Sequence, residues 1–253
     1  MVLPLSGTEA GRVQLSVGAG GDTTMELDHA AEVVVFNELA GVGERGERFS
    51  VLSEESGYRN FGADYPLILV DPVDGSLNAK HGVPLFGLML AILDGPLVSD
   101  TYAGFVLNLN TGETWTAVRK QGAWHAGEPL SAMKRGPTNR IQLLGLESTP
   151  RNLQLARPLV ERAAKIRVLG SMAISIALTS AGAFDVFCAP VPVRVFDMAA
   201  SLLILSETGG VATTLEGEPI GRLRCDLETD TTVLCASSPE LHRAAMQILK
   251  ASS

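Results

Sequence analysis

The chain has 253 residues, is 46% hydrophobic with few aromatics, and carries a formal charge of −8. It is long enough to bury a substantial core in one large domain or two modest ones. The acidic balance argues against a nucleic acid polymer as partner, but not against a small anion, because a bound metal reverses the local sign.

Cys188, Cys225 and Cys235 form neither an even framework nor a zinc-ligand spacing, so they read as reduced thiols of a cytoplasmic protein. The opening residues lack a basic start followed by an apolar run, and no apolar stretch reaches membrane-spanning length. No signal peptide and no membrane contact are expected.

Residues 1–13 are weakly patterned and read as loop. Residues 17–24 are glycine-rich and polar, the composition of a mobile loop. An amphipathic helix is expected over 26–40, with apolar Ala30, Val33, Val34 and Leu39 on one face and Gly41 and Gly43 ending it. A strand over 49–53 runs directly into Glu54-Glu55-Ser56-Gly57. Adjacent carboxylates are usually surface decoration. This pair, however, ends one strand while Asp71 ends the next, and consecutive elements are usually neighbours in space. Glu54 is therefore placed to face the same pocket.

Leu67-Ile68-Leu69-Val70 suits a strand buried on both faces, stopped by Asp71-Pro72 because proline donates no hydrogen bond. Asp74-Gly75-Ser76 then turns sharply, leaving backbone N–H groups free. Two carboxylates three residues apart, at the end of a rigid strand and beside a glycine turn, can hold a divalent cation and a phosphate together. The same residues also suit a plain turn cap.

From 85 to 118 strands follow one another at short intervals, which favours antiparallel pairing. Trp124 and His125 read as packing and surface residues. A domain boundary is expected within 131–139, giving an N-terminal mixed-sheet domain (1–135) that carries Glu54, Asp71 and Asp74. The C-terminal α/β domain (136–253) then carries Asp197. Its pattern is strand 141–146, helix 152–163, strand 166–169, a helix from Ser171 as N-cap, strand 184–188, and a buried helix from Arg194 to the stop at Gly209-Gly210. Strand 232–236 and an amphipathic helix after Pro239 close the chain. Asp197 is placed either to cap its helix or to join the carboxylates.

Glu54-Glu55, Asp71-Pro72-Val73-Asp74-Gly75-Ser76, and Asp197-Met198-Ala199-Ala200 with Gly209-Gly210, in this order and spacing, resemble the inositol monophosphatase family of lithium-sensitive, magnesium-dependent sugar phosphatases. The resemblance covers the chain from about Gly18 onward. It implies a layered αβαβα sandwich, α/β (mixed α+β) in class, and a homodimer. In that family the matching residues bind two or three Mg2+ ions. Carried over, Glu54, Asp71 and the Val73 carbonyl hold the first ion, and Asp71, Asp74 and Asp197 the second. A third lies near Glu54 with Asp22 and Thr24 of the glycine-rich loop. Glu54, Ser76 and Asp74 are the implied catalytic residues, and Gly75 and Ser76 present N–H groups to phosphate.

Elementary electrostatics agrees. Two like charges ~4 Å apart at an effective dielectric of ~20 repel by ~4 kcal/mol, so four gathered carboxylates need cations or protons. Hard oxygen ligands favour magnesium over zinc or copper. Such ions supply an activated water and a clamp for in-line displacement.

Three departures bear on the substrate. The long helix that usually precedes the glycine-rich loop is short, replaced or absent. Pro190 stands where inositol-specific members carry a glutamate. Gly18-Ala19-Gly20-Gly21-Asp22 and Arg194-Val195-Phe196-Asp197 look more like members acting on both fructose 1,6-bisphosphate and inositol phosphate. Arg194 and Arg167, with the helix start at Ser171, are candidates for a second phosphate. The alternatives are a nucleotide 3′-phosphatase of the adenosine 3′,5′-bisphosphate type, or a non-catalytic binding protein that retains the fold.

Overall fold

The computed structural model describes residues 2–131 and 140–251. Its first elements are short 3-10 turns at Leu3–Leu5 and Ala10–Arg12, followed by an antiparallel hairpin of β1 (Gln14–Val17) and β2 (Thr23–Met25). The glycine-rich run expected as a plain loop is the tip of this hairpin, where Gly18 N–H donates to Asp22 O at 2.8 Å.

Helix α1 (Glu26–Glu44) begins with the Asp28 carboxylate accepting from Met25 N–H at 3.0 Å. It runs through Gly41 and Gly43 instead of ending there. Val42 between them joins the cluster of Phe49, Val51 and Phe61. That packing outweighs the ~1 kcal/mol that a helical glycine costs. The chain turns away at Gly46, which adopts φ +96°.

The next elements are β3 (Ser50–Ser53), β4 (Gly57–Asn60), β5 (Leu67–Asp74), α2 (Ser76–His81), β6 (Gly87–Leu93), β7 (Thr101–Asn108), β8 (Thr114–Val118), β9 (Gly122–His125) and β10 (Glu128–Pro129). The strands form one sheet in the order β10-β9-β8-β7-β6-β5-β3-β4. From β5 through β10 every pairing is antiparallel, as the short intervals imply, whereas β3 and β5 run parallel. Before β7 comes a 3-10 turn at Val98–Asp100, closed by Leu97 N–H donating to Asp100 Oδ2 at 2.9 Å.

Strand β5 passes through Pro72 and ends at Asp74. Its pairing with β6 shifts register between Asp71 and Asp74, a bulge in which proline needs no donor. Ile68 to Asp74 are all buried, matching the expected two-faced burial.

The second sheet comes from β11 (Leu143–Leu146), α3 (Arg157–Arg162), β12 (Lys165–Arg167), α4 (Met172–Ser180), β13 (Val186–Arg194), α5 (Ala199–Glu207), β14 (Val211–Thr213), β15 (Asp230–Ala236) and α6 (Pro239–Lys250). Its order is β12-β11-β13-β15-β14. Strand β13 continues past Cys188, the end read from the sequence, and carries Pro190 and Pro192 through a register shift between Ala189 and Val193. Strand β14 has no counterpart in the sequence reading.

The layers follow from the contacts. Helix α1 covers one face of the large sheet, α4 and α5 lie between the sheets, and α3 and α6 cover the outer face of the small one. This is the expected αβαβα sandwich. One buried cluster joins Leu69, Met89 and Trp115 of the large sheet to Ile174, Phe196 and Val233. The expected boundary after residue 135 falls outside the described residues.

Candidate active site

Parallel pairing of β3 with β5 sets their ends side by side, and Glu54 N–H donates to Val70 O at 3.2 Å. The side chain following β3 is thereby brought to the Asp71 end of β5. From the other sheet, a 3-10 turn at Phe196–Met198, between β13 and α5, delivers Asp197. Carboxylate oxygens of Glu54, Asp71 and Asp197 lie within 4.8 Å of one another.

Asp71 does part of a turn-capping job, since its Oδ1 accepts from Val73 N–H at 3.0 Å. Asp197 does not cap α5, whose N-cap is Met198 without a side-chain bond. Its Oδ1 is buried with no partner among the described residues.

Asp74 is held from the second sheet's side of the molecule. Ser171 Oγ donates to it, as do Met172 N–H at 3.0 Å and Ala173 N–H at 2.9 Å. Ser171 is the expected N-cap, accepting from Ile174 N–H. The anion at this helix start is thus the Asp74 carboxylate, and the place suggested for a substrate phosphate belongs to a protein group.

Burial and crowding dominate the electrostatics. Asp71 is pushed well above the usual carboxylate range by burial, then by Glu54, Asp74 and Asp197. Burial raises Asp74 to about 6 against the pull of its three hydrogen bonds. Asp197 is raised to about 7, again first by burial, with Arg194 opposing. All three shifts report carboxylates short of positive charge.

Gly75 adopts φ +91°, and a Cβ there would stand 2.8 Å from Gly170 O. Glycine is therefore required for the turn into α2, which starts at Ser76. Asn78 Nδ2 donates to Leu85 O at 2.7 Å and Leu169 O at 2.6 Å, pinning α2 to the segment before α4. Val73, whose carbonyl is a candidate ligand, is buried between the two aspartates.

The remaining candidates divide. Thr24 Oγ1 donates to Glu55, which draws it toward that carboxylate. The Asp22 side chain is 79% exposed at the hairpin tip, 3.5 Å from Arg194 Nη1. Arg194 lies inside the cluster, bonded to Glu54 and to Asp197 Oδ2 at 3.1 Å. Arg167 is exposed on β12, with Nη1 donating to Ile166 O at 2.8 Å, and is not brought into the cluster.

Sequence reasoning missed three acidic residues, Asp28, Glu32 and Glu147, and named Glu55 without giving it a role. Asp28 and Glu32 are buried on α1. Asp28 is raised to about 6 by burial, with Glu54 adding to it. Glu32 accepts from Ser53 Oγ, Ser56 N–H and Ser56 Oγ, and so fixes the loop that carries Glu54. Glu55 is raised to about 7, mainly by burial. Glu147, just past β11, is raised by burial and by Asp74, and its Oε2 is buried without a partner among the described residues. Asp28 and Glu32 had a signal: acidic residues four apart, beside the apolar Leu27 and Ala31.

The cluster suits a hard divalent cation. Its members are carboxylates alone among the described residues, and Asp197 offers a buried oxygen that nothing satisfies. The three cysteines are free and buried. Oxygen donors of this kind fit magnesium better than a thiophilic metal.

Solved structures share these layers. A Pyrococcus horikoshii protein with similarities to inositol-1 monophosphatase superposes with a TM-score of 0.79 at 23% identity, over 96% of this chain and 90% of that one. This likeness places the chain in that class of fold. The sequence profile of the inositol monophosphatase family matches residues 7–253, and the chain belongs to that family of phosphoric monoester hydrolases.

The fructose-1,6-bisphosphatase/inositol-1-monophosphatase of Methanothermobacter thermautotrophicus is 31% identical over 98% of this chain and 91% of its own length. The bifunctional NADP phosphatase/NAD kinase of Methanococcus maripaludis is 28% identical over 98% of this chain, which spans 46% of that protein. No helix among the described residues is long and apolar enough to cross a membrane.

Proposed function

We propose that the chain hydrolyses a small sugar or polyol phosphomonoester in a magnesium-dependent reaction, with fructose 1,6-bisphosphate and inositol 1-phosphate as preferred substrates. One observation carries the reading: carboxylate oxygens of Glu54, Asp71 and Asp197 converge within 4.8 Å, around a buried Asp197 oxygen that has no partner among the described residues. The dual-activity name of the relative from Methanothermobacter thermautotrophicus supports the substrate pair.

Glu54, Asp71 and the Val73 carbonyl would hold one ion, and Asp71, Asp74 and Asp197 another. When bound, the ions supply positive charge for the phosphate oxygens and acidify water in the site. The chain's own groups then divide the work. Gly75 and Ser76 direct backbone N–H groups to the phosphate, in the turn that the +91° φ of Gly75 sets. Glu54 and Ser76 Oγ orient the attacking water, and the Glu54 carboxylate accepts its proton. Asp74, fixed by its three donors, keeps its geometry as charge spreads over the phosphoryl group. Water oxygen bonds to phosphorus, the ester P–O bond breaks, and the departing alkoxide takes a proton. Arg167, exposed three residues before Gly170, is the available cation for a second phosphate, because Arg194 is committed within the cluster.

A second reading, nucleotide phosphatase, is favoured by the relative whose name includes NADP phosphatase. Phosphate release from fructose 1,6-bisphosphate, inositol 1-phosphate, NADP and adenosine 3′,5′-bisphosphate decides between them. The first two should turn over fastest with magnesium. Faster release from either nucleotide would transfer the function to the second reading, and release from none would leave a binding protein. Family membership adds inhibition by millimolar lithium, a homodimer and a cytoplasmic location. Undiminished rates in lithium, or a monomer on size-exclusion chromatography, would count against the first two.

A further inference from the structure

Arg194 closes β13 and turns its guanidinium into the carboxylates. Nη2 bonds Glu54, Nε donates to Asp197 Oδ2 at 3.1 Å, and Nη1 lies 3.5 Å from Asp22 and 3.4 Å from Gly20 O. Oxygens from three separated segments surround one planar cation whose side chain is 18% exposed. The seat is shaped for it. A Cβ on Gly20 would stand 2.4 Å from Nη1, so glycine is what lets the hairpin tip close over the guanidinium. The tip is anchored there by Gly20 N–H donating to Glu54 O at 2.7 Å and Ala19 N–H to Glu55 O at 2.9 Å.

The oxygens that Arg194 engages are those a cation at the hairpin end of the cluster would need. At the β5 end, Asp71 and Asp197 Oδ1, which has no partner among the described residues, remain, with Asp74 beyond them on its three donors from the start of α4. Charge favours the same division. A further divalent ion beside the guanidinium would meet like charge at close range.

We infer that Arg194 is a resident cation that takes the place of one metal ion at the hairpin end of the site, so that this chain binds two divalent ions where its carboxylates would otherwise hold three. The inference rests on the magnesium reading above. It makes Arg194 a positioning residue, tying Glu54 and Asp197 to the hairpin, and not a substrate contact.

Counting bound Mn2+ from the EPR signal of the free ion tests it. The wild type should bind two ions. Arg194→Met, which keeps much of the length and removes the charge, should bind three. Gly20→Ala changes no ligand and lies on the surface hairpin, so it keeps the test open if the first variant misfolds. Its Cβ would stand 2.4 Å from the present Nη1 position, so the guanidinium must shift off the hairpin, and the count should again be three. Arg194→Lys, which restores a positive charge, should return the count to two. Three ions in the wild type, or two in every one of the Met and Ala variants that folds, would overturn the inference and leave the metal site standing. A wild type that binds no Mn2+ would overturn both.

Discussion

Asp74 is a ligand candidate whose position is set by another sheet's helix. Ser171→Ala removes one of its three donors and also the acceptor for Ile174 N–H. Loss of an N-cap costs ~0.5–2 kcal/mol, and for a chain of this size each kcal/mol lowers Tm by ~2–4 °C. The variant should melt a few degrees lower and lose turnover moderately, because Met172 and Ala173 still hold Asp74. An unchanged Tm would show that the Ser171 contact does not support the helix.

The buried acids also set a pH dependence. Asp28 and Asp74 are raised to about 6 from 3.8, Glu55 to about 7 from 4.5, and Asp197 to about 7 from 3.8. Between pH ~4 and ~7 the folded chain therefore holds protons that the unfolded chain has released, so stability falls as pH rises through that window. Asp226 and Glu240 shift the other way but lie near the surface. In EDTA the urea midpoint should be lower at pH 8 than at pH 5, and magnesium should raise the pH 8 value by mass action. A midpoint in EDTA that is higher at pH 8 would contradict these assignments.

At the scale of elements, the site depends on how closely α5 crosses β7. A Cβ on Gly104 would stand 2.8 Å from Ala200 O and 3.0 Å from its Cα. Gly104→Ala must push apart β7 and the helix that follows Asp197. Overpacking of this kind costs ~1–3 kcal/mol. Tm and magnesium affinity should fall together in calorimetry; a lower Tm with unchanged affinity would mean that the Asp197 turn is insulated from its helix.

Elements also explain what the sequence could disclose. Glu54, Asp71 and Asp74 were legible as candidates because each follows or ends a strongly patterned run, and Asp197 because it stands at the start of one. Helix α1 outran its glycines because Val42 had a hydrophobic partner that no local pattern names. Strands β5 and β13 outran their prolines because a register shift in the neighbouring pair removed the need for a donor. The Arg194–Glu54 pair joins residues 140 apart and the Ser171–Asp74 pair residues 97 apart, distances at which side-chain partnership leaves no periodicity. Asp28 and Glu32 were passed over because helical periodicity was counted on apolar positions.

For the whole molecule, α4 and α5 belong to both sheets at once, and one core cluster spans them. The two halves inferred from sequence rhythm should therefore unfold together. Trp115 and Trp124 both lie in the large sheet, so tryptophan fluorescence follows that sheet while far-UV circular dichroism follows the entire chain. Their urea transitions should coincide, whereas separated midpoints would mean independent domains.

The claim that ties these scales together is that strand ends from two sheets assemble carboxylates into a magnesium-dependent phosphatase. Its most direct test is phosphate release from fructose 1,6-bisphosphate and inositol 1-phosphate, with magnesium and with EDTA, for the wild type and Asp74→Asn. Asparagine keeps the shape and removes a charged ligand. The account predicts release by the wild type in magnesium only, and a loss of orders of magnitude in a variant that still folds. Near-normal release by Asp74→Asn, or by the wild type in EDTA, would contradict it.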